Sequence, residues 1–201
     1  MDREDITESA KREFSTQVNK QEGETSSRII ENPKYLTEDQ KDSWNKNGFI
    51  LLKNFCSKEI CSEMNSSVLS IIDSMVGSEE AFSHAYANEG YIGIREMKPN
   101  PEAKTIHDEM SKIFRLHGKG VFNDFINNKR LLDLVEDILG INIDCFLSQY
   151  IFKNPGAWGQ PWHQDSSYFP FDRYPQVGAW VATSPATIEN GCLVILPGSH
   201  K

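Results

Sequence analysis

The spacing of hydrophobic and polar positions predicts two helices near the start of the folded region. Thr37 is a typical N-cap and Gly48 a typical C-terminal stop, so a first helix is expected to run to Asn47. Ser57 can cap a second helix that continues to about Met75. Apolar residues recur in this second segment at helical spacing. Its predicted buried face comprises Ile60, Met64, Val68 and Ile71 or Ile72.

A further helix is predicted over residues 122–139, ending before Gly140, because apolar side chains recur there at helical spacing. Its apolar positions are Leu131, Leu134, Val135 and Ile138. Residues 49–53 read as a short strand, and residues 77–104, which are rich in Gly, Asn and Pro, as loops.

Beyond Gly140 the pattern changes from helical to strand-like. β-Branched and aromatic residues form three predicted strands, separated by Pro, Gly and an Asn190-Gly191 turn. These strands are residues 143–153, 176–183 and 192–196. Because helices come first and strands later, without alternation, we predict an α+β fold with helices packed on a β-sandwich or barrel.

The first residues of the chain differ in composition from the rest. Residues 1 to about 31 hold eight acidic and five basic side chains and only scattered apolar ones. Such a segment buries too little apolar surface to fold alone. We therefore predict a disordered acidic tail over residues 1–32, with a regulatory segment as the alternative, and one domain portion over residues 33–201.

Composition narrows the class of protein. The chain has 201 residues, 38% of them hydrophobic, and a net charge of −8, which argues against binding to nucleic acid or an anionic membrane. We find no apolar run long enough to span a membrane and no signal or transit peptide. The four cysteines form no CxxC pair. We therefore expect the cysteines to be free thiols in a reducing compartment. This predicts a cytoplasmic protein, with a peroxisomal location as the alternative.

The best candidate for chemistry is the segment Trp162-His163-Gln164-Asp165. Residues two apart on an extended chain point to the same side, so His163 and Asp165 should present an imidazole and a carboxylate together. Two histidines and one carboxylate on one face of a metal suit non-haem Fe(II) and O2 chemistry. Taken alone the pair is weak evidence, because a cleft or surface pair without metal has the same pattern.

The flanking motifs give this pair its context. They are Tyr168-Phe169-Pro170-Phe171, Ala179-Trp180, the run from Glu189 to Leu193, and the run from Pro197 to Lys201. In this order the motifs resemble the phytanoyl-CoA dioxygenase family, most strongly over residues 143–201 and plausibly from about residue 37. The resemblance implies a double-stranded β-helix (jelly roll) core with N-terminal helices packed on it. It also implies Fe(II) as the metal and 2-oxoglutarate as co-substrate.

The resemblance assigns roles to single residues. His163 and Asp165 match the first two iron ligands. Four residues match positions around 2-oxoglutarate: Lys112, Gln149, Gln164 and Trp180. Lys119 competes with Lys112 for the lysine position. The alternatives are structural, with Trp180 in the core, Gln149 bonding within the sheet and Lys112 solvated on a helix.

The resemblance also implies an activity. Related halogenases lack the carboxylate that Asp165 supplies, so hydroxylation of a small organic or lipid-like substrate by O2 is expected. The family's distal histidine and its 2-oxoglutarate arginine are expected after Lys201, since His200 matches the Pro-Gly-Ser-His turn. We therefore expect that this chain lacks the C-terminal strands and is inactive on its own. A degenerate binding domain without turnover and a cupin-like domain for another metal are the alternatives; the oligomeric state is not predicted.

Overall fold

A computed structural model describes residues 30–76, 91–96, 100–157, 159–169 and 176–201. Within these residues, helices pack beside a small antiparallel sheet. The helices are α1 (Glu38–Asn47), α2 (Lys58–Met75), α3 (Ile106–Glu109), α4 (Gly120–Ile126) and α5 (Lys129–Leu139). The strands are β1 (Ile92–Arg95), β2 (Met110–Phe114) and β3 (Gln149–Ile151).

The first two helices begin and end where the sequence predicts. The Thr37 side chain accepts a hydrogen bond from the backbone of Gln40, whose own side chain accepts one from the Thr37 backbone, and this capping box starts α1. Gly48 ends it in the left-handed conformation, with φ of 81°. The Ser57 hydroxyl accepts a hydrogen bond from the backbone of Ile60 and caps α2 without a reciprocal bond. The buried face of α2 holds Met64, Val68, Ile72 and Met75, whereas Ile60 is exposed.

The helix predicted over residues 122–139 is two helices, α4 and α5. The chain breaks at Asn127 and Asn128, and the Asn128 side chain accepts hydrogen bonds from the backbone of Arg130 and Leu131. Asparagine competes in this way for free backbone N–H groups, which favours a cap over a continuous helix. The single-helix prediction was therefore wrong at this point.

The sheet has the order β1-β2-β3, and two of its strands were not predicted. β1 lies inside the predicted loop region, of which residues 77–90 and 97–99 fall outside the described residues. β2 carries Lys112, so this residue lies on a strand and not on a helix. Lys112 stands opposite Ile94 of β1 and Ile151 of β3. A lysine at this position is held by two neighbouring strands.

Most of the predicted strands are not paired in the described part of the chain. Of residues 143–153 only Gln149–Ile151 forms a ladder, and residues 49–53, 176–183 and 192–196 have none there. Hydrophobic alternation marks a segment that suits a sheet, but a strand also requires a hydrogen-bonded partner. The mixed architecture agrees with the α+β class, and the jelly roll stays a prediction.

Two hydrophobic clusters support the fold. The first joins Val68 and Ile72 of α2 to Met110, Ile113 and Leu116, all nearly or fully buried. This cluster fixes β2 against α2 and therefore sets the position of Lys112.

The second cluster is formed by Ile30, Leu36 and Ile138, with Val177 packed against it. The Asn45 side chain bonds both backbone groups of Ile30, at 2.9 and 2.7 Å. Ordered contacts thus begin before Pro33. The predicted tail up to residue 29 lies outside the described residues.

Candidate metal and co-substrate site

The predicted imidazole–carboxylate pair is brought together. His163 Nε2 lies 3.3 Å from Asp165 Oδ1. Asp165 opens a short 3₁₀ turn, Asp165–Ser167, in which the Ser167 hydroxyl donates to the Gln164 carbonyl at 2.7 Å. The expected extended backbone is present at Gln164, with φ of −102° and ψ of 131°, but no strand forms there and the turn begins at Asp165. The His163 side chain is 24% exposed and the Asp165 side chain 69%, so the carboxylate faces an open space beside a largely covered ring.

Backbone geometry fixes which nitrogen of His163 is free. Its Nδ1 lies 2.7 Å from the Pro161 carbonyl oxygen. A carbonyl only accepts, so Nδ1 carries a proton, and Nε2, the atom that faces Asp165, is the nitrogen left for a metal. The Tyr168 ring packs against the imidazole at a centroid distance of 5.2 Å and limits its rotation. The ring is thus oriented as metal-binding histidines commonly are.

Other histidines do not complete a metal site among the described residues, where no group of three or more histidine, cysteine or acidic side chains occurs. His107 pairs with Asp73 at 2.8 Å, and His117 bonds the Ser148 hydroxyl at 2.6 Å. The ring of His200 lies on Gly48 at the end of α1, where an added Cβ would come within 2.4 Å of it. His84 lies outside the described residues.

The ammonium of Lys112 interacts electrostatically with Asp165 of the pair. Its ammonium donates to Gln160 Oε1 at 3.0 Å. Burial lowers the pKa of Lys112 most, the charge of Lys153 lowers it further, and Asp165 and Glu96 act in the opposite direction. The cation is therefore partly desolvated, and the charge of Asp165, the carboxylate beside His163, acts on it.

Lys119, the competitor for the lysine position, is placed elsewhere. Its ammonium stacks over the Tyr91 ring at 4.7 Å, and it lines a shallow groove beside α2 together with Glu63. Asp165 acts on the pKa of Lys112, whereas Lys119 has this separate environment. The described contacts therefore favour Lys112.

Gln164 is directed away from the pair. Its side-chain amide donates to the Ser199 carbonyl at 2.5 Å, and the backbone of Gly198 in the same turn donates to Asn47 at the end of α1. The side chain fastens the candidate ligand segment to the turn at residues 197–200.

Trp180 and Gln149 lie near the site in different ways. An added Cβ on Gly178 would lie 3.8 Å from Asp165 Oδ2, so the segment that carries Trp180 passes the carboxylate. Trp180 is 49% exposed and is therefore not the core residue that was the alternative. Gln149 is exposed on β3, two residues from the partner of Lys112, on the same face of the sheet. Both positions agree with a lining role, which stays a prediction.

Two contacts at the site were missed from sequence. Gln160 meets Lys112, and the carbonyl of Pro161 orients His163. The sequence places both residues just before the pair, but no local rule assigns a side chain to a lysine 48 residues away. Of the motif Tyr168-Phe169-Pro170-Phe171, the structure describes only Tyr168 and Phe169.

Comparison with known proteins decides the family. The sequence profile of phytanoyl-CoA dioxygenase (PhyH) matches residues 44–201. The chain belongs to the phytanoyl-CoA dioxygenase family. A protein of Arabidopsis thaliana named phytanoyl-CoA dioxygenase is 26% identical over 189 residues, covering 83% of this chain and 65% of that protein. Phytanoyl-CoA dioxygenase 1 of Oryza sativa subsp. japonica is also 26% identical, over 194 residues, covering 83% of this chain and 66% of the relative.

A human relative is more similar over a shorter stretch. It is named phytanoyl-CoA dioxygenase, peroxisomal, and is 29% identical over 154 residues, covering 58% of this chain and 46% of that protein. The chain thus spans just under two thirds of the length of the first two relatives. Among the described residues, none of the helices has the length and apolar character needed to cross a membrane.

Proposed function

We propose that the protein is an oxygenase that uses Fe(II) and 2-oxoglutarate to hydroxylate a small organic or lipid-like substrate. The observation that carries the proposal is the 3.3 Å approach of His163 Nε2 and Asp165 Oδ1, with the proton of the ring held on Nδ1. Family membership supports the same chemistry. The activity would belong to the full-length polypeptide.

The residues present fit two positions of an iron site. Two donors about 2.1 Å from one metal and at right angles are roughly 3 Å apart, close to the observed separation. Nitrogen and carboxylate donors with open positions are the set that non-haem Fe(II) takes in oxygenases. His163 and Asp165 would hold the metal, and the Pro161 carbonyl would keep the imidazole in the productive tautomer. Bound iron would supply the chelation of 2-oxoglutarate and the activation of O2.

Lys112 would hold a carboxylate of the co-substrate. A partly desolvated ammonium near another lysine is stabilised by an incoming anion, because the anion offsets both effects that lower its pKa. Once Asp165 binds a cation, its charge is no longer available to Lys112. The anionic co-substrate would then be the favourable partner on that side.

The remaining predicted residues would shape the pocket. Trp180 and Gln149 would line it with an aromatic face and an amide, and Gln164 would contribute its backbone. Tyr168, which already packs on His163, would exclude water on one side of the ring. O2 and a small-molecule substrate would enter from the exposed side of Asp165.

The test is 2-oxoglutarate-dependent turnover in the full-length protein. Succinate formation under O2 should occur with the wild type and fall by at least about a hundredfold in Asp165→Asn, which keeps the shape but removes a charged ligand. Asp133→Asn, which removes the charge of a carboxylate paired with Lys129 on α5, is the control and should keep activity. Turnover retained in Asp165→Asn would exclude the ligand assignment. Metal binding without turnover in the wild type would instead favour a non-catalytic binding domain.

The compartment stays a proposal. All four cysteines are free thiols, which suits a reducing compartment. The name of the human relative refers to the peroxisome. We propose a cytoplasmic protein, with the peroxisome as the alternative that localisation of a tagged full-length protein would reveal.

A further inference from the structure

Gln160 occupies the position where an anion would meet Lys112. Its Oε1 lies 3.0 Å from Lys112 Nζ. The next residue, Pro161, supplies the carbonyl that orients His163. Two consecutive residues therefore contact the cation and the imidazole of the candidate site. A single peptide bond joins the residue that contacts Lys112 to the residue that orients His163.

The amide of Gln160 is a weak partner for this cation. Burial and Lys153 disfavour the charged form of Lys112, and the nearby carboxylates only partly offset them. A neutral oxygen accepts a hydrogen bond from the ammonium but supplies no opposite charge to offset these two effects. The contact keeps the ammonium from being unpaired without matching what an anion would give.

We propose that Gln160 is an affinity-determining residue for the anionic co-substrate, whose carboxylate must displace the Gln160 amide from Lys112. The proposal rests on the proposed function, since it takes Lys112 as the co-substrate's partner. Gln160 Oε1 takes on Lys112 the place of the co-substrate's carboxylate. During binding it leaves, and the affinity reflects the difference between the two partners.

Two substitutions at Gln160 act in opposite directions. Gln160→Glu places a carboxylate of the protein on Lys112 in nearly the same shape, so 2-oxoglutarate must compete with an ion pair. Gln160→Leu removes the acceptor and leaves Lys112 free for the co-substrate. The matched control is Asn128→Asp, which also turns an amide into an acid but at the exposed N-cap of α5, where a carboxylate can accept the same backbone hydrogen bonds from Arg130 and Leu131.

The experiment is a calorimetric titration of 2-oxoglutarate into the full-length protein loaded with Mn²⁺. We expect Gln160→Glu to weaken binding about tenfold, Gln160→Leu to tighten it about twofold to threefold, and Asn128→Asp to leave it unchanged. A second readout is NMR of isotopically labelled lysine. Gln160→Glu should raise the pKa of Lys112, which checks that residue 160 contacts the ammonium in solution; an unchanged pKa would remove the contact on which the inference rests.

The outcomes separate the two claims. If the wild type binds 2-oxoglutarate and both Gln160 variants bind it equally well, the inference about Gln160 is overturned and the proposed function stands. If both variants weaken binding to the same extent, Gln160 is structural and the inference is again overturned. If the Mn²⁺-loaded wild type does not bind 2-oxoglutarate, the proposed function fails and the inference fails with it.

Discussion

Replacing Asp137 with alanine should destabilise the protein far more than an ordinary surface substitution. The Asp137 carboxylate accepts hydrogen bonds from the backbone of Lys34, Tyr35 and Leu36, at 2.8, 2.5 and 2.6 Å. An acidic side chain in the last turn of α5 is disfavoured by the helix dipole, so the three donors are what makes it favourable there. They hold Leu36 in the second hydrophobic cluster, which also contains Val177.

The magnitude follows from these bonds. A hydrogen bond to a charged group contributes about 1.5–3 kcal/mol, but three bonds to one partly exposed carboxylate are not additive. We expect a loss of about 2–3 kcal/mol for Asp137→Ala, which lowers the Tm by roughly 5–10 °C in a protein of this size.

Urea unfolding of Asp137→Ala and of a control on the same helix measures this loss. The control is Asp133→Ala, whose carboxylate pairs only with Lys129 in the described contacts and should change stability by less than about 0.5 kcal/mol. Equal destabilisation by both variants would refute the reasoning. So would a change below about 0.5 kcal/mol for Asp137→Ala, because the three N–H groups would then be satisfied as well by water.

Further predictions concern Gln164, Lys112 and Gly48. Gln164→Leu should weaken Co²⁺ binding about tenfold or more, because the bond to Ser199 is lost, while the unfolding midpoint changes little; unchanged Co²⁺ affinity in a titration would contradict this. Lys112→Met should abolish 2-oxoglutarate binding yet not lower stability at neutral pH. Because the pKa of Lys112 is lowered in the folded protein, the folded protein releases this proton at a lower pH than the unfolded chain does. The stability of the wild type relative to the variant should therefore rise only as the pH approaches ~10.4, and pH-dependent urea unfolding measures this. Gly48→Ala should destabilise the protein by about 2 kcal/mol or more, because φ is +81° and the new Cβ would meet the ring of His200; thermal unfolding at wild-type Tm would contradict it.

The sequence predicted the features that depend on neighbouring residues. Thr37, Ser57 and Gly48 cap or end their helices through atoms within four residues, and all three were read correctly. The approach of His163 and Asp165 is likewise a two-residue effect. Local spacing is enough for both kinds of feature.

Features that join distant segments were missed. β2 is a strand because its backbone pairs with β1 on one side and β3 on the other, where Lys112 lies opposite Ile94 and Ile151. Neither partner can be inferred from the sequence around Lys112. The Gln164–Ser199 bond spans 35 residues and the Gln160–Lys112 bond 48. The break between α4 and α5 was missed although it depends on neighbouring residues. The apolar periodicity of residues 122–139 predicted one helix, and the capping tendency of Asn128 was not taken into account.

Anaerobic absorption spectroscopy of the full-length protein tests most directly whether His163 and Asp165 bind iron together with 2-oxoglutarate. Adding Fe(II) and 2-oxoglutarate to the wild type should produce a charge-transfer band that neither component gives alone. His163→Ala and Asp165→Ala should lose the band, whereas Asp133→Ala should keep it. A wild type without the band, or an Asp165→Ala variant that retains it at wild-type strength, would contradict the account.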